Sequence, residues 1–531
     1  MNIEVLDCTL RDGGYCNDWD FGNDNIKYIV EKLTEAKVDI IELGFLSDKK
    51  VETDNNSIFR TINKIKEFIP KDKKNIKFMC MCNFGEVDFE KLEPSSETGI
   101  DGIRLAFHKK EWREALSVCP IIKEKGYALY VQPMVTMMYS DMELISLIEA
   151  SNEIMPEAFY IVDSFGSVRR EDMLRMYYLI NHSLAKEIKI GFHSHNNMQL
   201  SYANSQRFAE IYDDRDKVID SSVFGMGRGA GNLNTEIFVE YLNKCHEKDY
   251  VIYPLLQIID NVLNKIYSEQ YWGYSLPHYL SSKYNCHPNY ATYLSNKNTL
   301  TIAAINEVLS RIPENERVNY NKKLIEEIYV NYQSDEYDDV EDLLTIKEQF
   351  EGKNVVILAP GSTLQKYENE VNAKIEELNA KTISVNFLPK HTKVDTVFIS
   401  NKKRIEQFGK EFEKQSVCLI HTSNIHIKDI DNSYCVNYQS LRNDTIGVED
   451  NATLMLLYLL IKVGVKHVHI AGLDGYYEYS SKNYYDSNMA MNSDRAFLET
   501  MNAGIKTELE KLSETINIEM ITPSVLWKGK N

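Results

Sequence analysis

The sequence predicts an α/β protein built as an N-terminal (β/α)8, or TIM, barrel with a helical appendage, followed by a Rossmann-like α/β domain. Three observations lead there. Eight short β-rich runs alternate with amphipathic helical stretches in the first half of the chain. Almost every one of these runs ends in polar groups that a core would not select. A second alternation of strands and helices begins near Lys353. At 531 residues the chain also exceeds what a single hydrophobic core organises. The expected divisions are 1–235 for the barrel, 236–349 for the appendage and linker, and 350–531 for the second domain.

The predicted barrel strands are 3–7, 38–45, 76–82, 102–107, 129–134, 159–163, 188–193 and 218–224. Strands separated by helices pair in parallel, and eight of them suffice to close a barrel, with an open doubly wound sheet as the alternative. The polar residues at their ends, among them Asp7, Asp12, Glu42, Asn83, Arg104, His108, Gln132, Asp163, His193, His195 and Asp220, favour the barrel, because barrel active sites sit at the C-terminal strand ends. From 236 to 349 the pattern turns helical and tyrosine-rich, and the acidic stretch 334–342 reads equally well as a linker or as the solvated start of a helix. Within that region Trp272, Tyr284, His287 and Tyr290 read either as a lid over the barrel mouth or as core. In the second domain the predicted strands begin at 354–358 and continue with 382–386, 396–400, 417–421 and 467–471.

Composition narrows the partners. Sixty basic against 79 acidic residues give a net charge of −19, which repels nucleic acid and anionic membranes. The longest apolar run, 452–461, is about half of a bilayer span and reads as a buried helix. The N-terminus lacks the organisation of a signal peptide, so a cytoplasmic location is expected. Nine cysteines without a CxxC pair point to reduced core residues rather than disulfides or structural zinc.

The chemistry concentrates at three places. In His193-Ser194-His195 the two imidazoles fall on one side of an extended segment, since side chains alternate with period two. Asp12, at the mouth of the first strand, neighbours them once a barrel closes. Two histidines and a carboxylate suit a divalent Lewis acid, whereas an isolated HxH is often two unrelated polar residues. The third place is the glycine-rich loop 225–232, a tight turn whose Arg228 could bind a carboxylate.

Taken together, Asp7-Cys8-Thr9-Leu10-Arg11-Asp12-Gly13-Gly14-Tyr15, Gly191-Phe192-His193-Ser194-His195-Asn196-Asn197 and Gly225-Met226-Gly227-Arg228-Gly229-Ala230-Gly231-Asn232 closely resemble the DRE-TIM metallolyase superfamily, and most of all its 4-hydroxy-2-oxoacid aldolase branch. The resemblance implies a metal-dependent aldolase or lyase working through a pyruvate-type enolate. It implies Asp12, His193 and His195 as ligands of Mn²⁺, or of Mg²⁺, Co²⁺ or Zn²⁺, with Asn232 as a further ligand and Arg11 stabilising the enolate oxygen. Arg104, Gln132 and Arg228 are expected to bind the 2-oxoacid or its aldehyde partner, and a homodimer follows family habit. One departure stands out, because the aldolases carry a histidine base where this chain has Tyr15. Tyrosine titrates near pH 10, which leaves Tyr15, His108 and Glu42 as alternative proton carriers. An acyl-CoA-dependent Claisen enzyme of the same superfamily is the alternative function.

In the second domain, Ala359-Pro360-Gly361-Ser362 after a strand has the form of a phosphate-approaching turn. With 451–453 and 468–476 it is loosely similar to bacterial sialyltransferase-like and pterin-pyrophosphokinase-like proteins. That likeness implies a nucleotide or nucleotide-sugar near Gly361, Ser362, Asn401 and Asp474, and a bifunctional enzyme of surface-polysaccharide sugar synthesis as a further reading.

Overall fold

The computed structural model describes residues 2–334, 337–415, 417–425, 432–476, 484–486, 489 and 495–527. They fall into two compact units. Unit 1 comprises Met1–Pro288 and Glu314–Tyr320, and unit 2 comprises Asn289–Pro313 and Asn321–Asn531. The helical stretch between the two sheets is thus divided between the units.

Unit 1 is a closed parallel barrel of β1 (Ile3–Asp7), β2 (Ile40–Leu46), β3 (Lys77–Asn83), β4 (Gly102–Phe107), β5 (Ala128–Pro133), β6 (Ala158–Asp163), β7 (Lys189–Ser194) and β8 (Lys217–Ser221). Each strand pairs with the next, and β1 closes the ring by pairing with both β8 and β2. A two-residue strand, Ile58–Phe59, adds to the outer edge of β2. The closed ring settles the choice between barrel and open sheet. β8 ends at Ser221, short of the predicted 224, because Phe224 takes a left-handed φ of 60° that a strand cannot hold.

Two apolar layers hold the unit together. Leu6, Ile40, Met79, Tyr130, Tyr160 and Val218 fill the barrel interior, while the outer strand faces pack on the surrounding helices. At the N-terminal rim Lys189 pairs with Glu4 (2.7 Å) and Glu157 (2.8 Å), and Lys77 reaches the same two carboxylates at 3.2 and 3.3 Å. Conserving the strand ends for charge at one rim and chemistry at the other is the usual division of labour in this architecture.

Unit 2 carries a seven-stranded parallel sheet: β9 (Val355–Leu358), β10 (Lys381–Val385), β11 (Thr396–Ile399), β12 (Cys418–Thr422), β13 (Ser433–Val436), β14 (His467–Ala471) and β15 (Asn517–Met520). The order is β13-β12-β11-β10-β9-β14-β15, so the direction of winding reverses between β9 and β14. The edge strands β13 and β15 escaped the sequence reading, being four residues each and rich in polar side chains. The apolar run near 452–461 is the buried helix Ala452–Lys462. Around the acidic stretch a helix begins at Val340, and Asp339 and Asp342 accept the backbone N–H groups of Asn437 (2.8 Å) and Cys435 (3.1 Å). Cys8, Cys16, Cys80, Cys82, Cys119 and Cys286 are buried and free, but Cys245 is exposed and Cys418 and Cys435 are half-buried, which corrects the expectation of cysteines confined to the core. Among the described residues no helix is long and apolar enough to cross a membrane.

Candidate active site

The loop after β1 is wound by its own backbone: Arg11 and Asp12 N–H both return to the Cys8 carbonyl, at 3.0 and 2.7 Å. Trp19 locks it from outside by donating its indole N–H to the Arg11 carbonyl (2.6 Å). This turn brings Asp12 to the C-terminal end of β7, where His193 and His195 project from the same side of the strand with ring centroids 5.2 Å apart. One ligand atom from each of Asp12, His193 and His195 lies within 4.8 Å of the others, and all three residues are buried. Ligands on a common ion at roughly 2.0–2.3 Å stand no further apart than that.

Neighbouring atoms bear on whether a cation fits. His193 Nδ1 faces Asp220 Oδ2 at 2.9 Å, which fixes the ring and leaves Nε2 for another partner. Asn232 donates to Asp12 Oδ2 (2.7 Å) and to the Met226 carbonyl (3.1 Å), while its own Oδ1 is buried without a partner, as is His195 Nδ1. Orphaned oxygen and nitrogen acceptors around one carboxylate are the donor set a divalent ion takes. The loop comes this close because position 227 is glycine: a Cβ there would stand 2.3 Å from Asn232 Nδ2 and 2.9 Å from Asp12 Oδ2.

Beneath this cluster runs a buried ionic network. Arg11 donates to Asp12 Oδ1 (2.5 Å) and Glu42 Oε2 (2.7 Å), and Arg104 binds both oxygens of Glu42, one at 2.7 Å, as well as Asp220. Arg104 also lies over the Tyr160 ring at 5.2 Å. Burial works against charge at Asp12, yet Arg11, then His195 and His193, hold its carboxyl well below the usual carboxylate range. Burial pushes the His195 imidazole down to about 3, so it is a neutral donor of electron pairs at neutral pH.

Above the cluster opens a cavity of about 360 Å³. Arg11, Asp12, Tyr15, His108, Gln132, His193, His195 and Arg228 line it, whereas the strand-end residues Asp7, Asp163 and Asp220 do not. Glu42 and Arg104, expected respectively as a proton carrier and a substrate contact, do not line it: both are fully buried and spent on each other and on Arg11 and Asp220. Asn232 likewise sits behind Asp12 rather than on the wall. Tyr15 keeps 39% of its surface, with the Arg228 guanidinium 5.5 Å over its ring. Desolvation raises the Tyr15 hydroxyl above its ordinary value against the pull of Arg228, so it is a donor rather than a base at neutral pH. Lys49, Glu86, Ser164 and His287 also line the cavity and were not assigned to the site from the sequence; Ser164 had a signal as a polar strand end and His287 as a lid candidate. Its companions went elsewhere, with Trp272 buried against Phe224 and Tyr267 in unit 1 and Tyr290 buried in unit 2.

In unit 2 a second cavity, of about 150 Å³, lies at the strand ends where the winding reverses, with Gly361, Asn386, Asn401, Arg404, Asn451 and Asp474 among its walls. Open α/β sheets bind ligands at such a point. The turn after β9 is already satisfied from within, however. Asp474 accepts the Thr363 N–H (2.8 Å), the Ser362 hydroxyl (3.3 Å) and the Thr363 hydroxyl, so its carboxylate stands where the sequence reading placed a ligand's anion. Ser362 is not on the cavity wall.

The first half of the chain is similar to known proteins. Residues 2–250 match the HMGL-like family. The 4-hydroxy-2-oxovalerate aldolase of Geobacillus genomosp. 3 is 29% identical over 261 residues, 49% of this chain and 75% of that protein. The oxaloacetate decarboxylase of Mycobacterium tuberculosis is 23% identical over 240 residues, 45% of this chain and 70% of that protein. The crystal structure of the HMG-CoA lyase from Brucella melitensis superposes with a TM-score of 0.41 at 15% identity, over 48% of this chain and 96% of that one. Residues 2–250 of this chain therefore form a domain of the HMGL-like, DRE-TIM family.

Proposed function

We propose that unit 1 is a divalent-metal-dependent carbon–carbon lyase that breaks or makes the C3–C4 bond of a 4-hydroxy-2-oxoacid through a pyruvate-type enolate. The observation that carries this reading is the convergence of Asp12, His193 and His195 beside Arg11 on one cavity at the barrel mouth. The similarity to 4-hydroxy-2-oxovalerate aldolases supports it. A divalent ion held by these three side chains, with Asn232 Oδ1 as a fourth donor, would supply Lewis-acid polarisation of a carbonyl oxygen; Mn²⁺ leads the candidates, with Mg²⁺, Co²⁺ and Zn²⁺ behind it.

The remaining work falls to the chain itself. Arg11 is held rigid by Glu42 and Asp12, and its buried Nη2 has no partner, so it offers a preorganised N–H where an enolate oxygen gains charge. Gln132 presents an unpartnered buried Oε1 on the same wall and orients a substrate hydroxyl. Arg228, at the rim, takes the carboxylate that every 2-oxoacid carries. The Glu42–Arg104–Asp220 network touches no substrate and fixes Arg11 and His193 from behind.

Exchange of the methyl protons of pyruvate with deuterated solvent, followed by NMR, tests the reading together with release of pyruvate from 4-hydroxy-2-oxovalerate. Both are expected to require added Mn²⁺ and to stop with a chelator. Neither activity with any of the four ions would refute it. Exchange combined with oxaloacetate decarboxylation, and no cleavage of hydroxy-oxoacids, would keep the enolate and assign a different bond, as the mycobacterial relative suggests.

A further inference from the structure

Resting on that reading, we propose that His287 is the catalytic residue that takes and returns the proton in carbon–carbon bond cleavage. It lies outside the family-matched residues 2–250, yet its side chain lines the same cavity as Asp12, His193 and His195. Its place is built rather than incidental. The His287 backbone N–H donates to the Arg317 carbonyl (2.8 Å), its ring packs on Tyr320 with centroids 6.0 Å apart at 31°, and Phe165 meets it edge-to-face at 6.3 Å. Arg317 and Tyr320 belong to the short segment Glu314–Tyr320, which is part of unit 1 although the residues on either side of it in sequence belong to unit 2. The chain returns to the barrel unit for that one stretch, where the Arg317 carbonyl holds the His287 backbone and Tyr320 packs on its ring.

The groups facing His287 set its state. Nε2 lies 3.4 Å from Nη1 of Arg228, another residue of the cavity wall, and a guanidinium can only donate, so Nε2 is an acceptor. Burial, then Arg228 and His108, push its basicity down to about 3, so the imidazole is neutral at neutral pH. Two of the three competitors are less suited. Tyr15 keeps its proton, and Glu42 is locked between two guanidiniums away from the cavity. His108, also lowered by burial, is the one other histidine on the wall besides the pair grouped with Asp12.

In the cleavage direction the oxoacid carboxylate draws Arg228 to itself and releases Nε2 to the 4-hydroxyl. Nε2 accepts the hydroxyl proton while the C3–C4 electron pair moves between C3 and C2 and charge reaches the C2 oxygen. The aldehyde departs, and the imidazolium returns its proton to C3, giving pyruvate and the neutral ring.

The test uses the full chain with saturating Mn²⁺ and compares wild type with His287→Gln, Tyr15→Phe and His108→Gln in cleavage of 4-hydroxy-2-oxovalerate. General acid–base roles contribute about 10²- to 10⁴-fold, so H287Q is expected to lose that much kcat, with KM and Mn²⁺ affinity within about threefold. Added imidazole is expected to restore part of the rate to His287→Ala. If H287Q retains kcat within about tenfold of wild type, or if Y15F or H108Q loses more kcat than H287Q does, the inference is overturned. Should H287Q bind metal poorly or melt early, imidazole rescue of H287A decides, recovery supporting the inference and none refuting it. A wild type inactive in both cleavage and pyruvate exchange sinks the underlying lyase reading instead.

Discussion

Replacing Asp220 by asparagine removes one negative charge from the barrel interior, where Oδ2 holds His193 Nδ1 at 2.9 Å and also pairs with Arg104. Two effects follow and can be measured separately. Loss of a partner that orients a metal-bound histidine typically costs 10- to 100-fold in metal affinity, about 1.4–2.7 kcal/mol. Breaking a buried ion pair costs about 3–5 kcal/mol, and the lower end applies here because Arg104 keeps both oxygens of Glu42. At roughly 1.5–2 °C per kcal/mol for a unit of this size, the melting of unit 1 should fall by about 5–6 °C. Titration calorimetry with Mn²⁺ reads the first effect. Thermal unfolding with and without Mn²⁺ reads the second, in the transition that the ion shifts. A D220N protein that binds Mn²⁺ with wild-type affinity and melts at the wild-type temperature would show that Asp220 neither orients His193 nor balances Arg104.

Two further substitutions address other links. Burial pushes the Asp163 carboxyl up to about 7, against hydrogen bonds from the Ser167 and Val168 amides, so between the ordinary carboxylate value and 7 the native state binds the extra proton and stability is lost as pH rises through that window. Asp163→Asn, which cannot ionise, should gain on wild type from pH 4 to pH 8 by on the order of 3–4 kcal/mol in urea unfolding, and a pH-independent difference would contradict the assignment. The lowered histidines His195, His278 and His287 act with the opposite sign, but equally in both proteins. In unit 2, Gly361→Ala would place a Cβ 2.2 Å from the Gly472 carbonyl and 2.6 Å from Asp474 Cγ. It should destabilise unit 2 by about 1–3 kcal/mol, seen as faster hydrogen exchange in β9 and β14, and unchanged exchange there would refute the close approach.

Much of this architecture was legible before any coordinates, and the exceptions have identifiable causes. The barrel strands are apolar on both faces, as parallel strands between helices must be, so their runs stand out from the helices. β13 and β15 lie at the sheet edges, bury less, and therefore carry no such signature. Glu42 and Arg104 looked like chemistry because charged residues seldom lie in strands; their partners are 62 positions apart in sequence, and only the closed ring turns them into a mutual ion pair behind the site. Asp474 was read as a ligand contact from the loose likeness of the second domain to nucleotide-sugar and pterin enzymes, and it caps the turn that follows β9.

What the sequence determined by itself is local. The alternation of strands and helices, the two-residue period that aims His193 and His195 the same way, and the glycines that let loops approach are each written within a few neighbouring positions. What only the tertiary structure decided is non-local. Closure of β1 onto β8 carries Asp12 to the histidines, and the return of Glu314–Tyr320 braces His287 over the same cavity. The physical reason is that a side chain's charge, exposure and partner are set by what packs against it, and those neighbours come from strands hundreds of residues away along the chain.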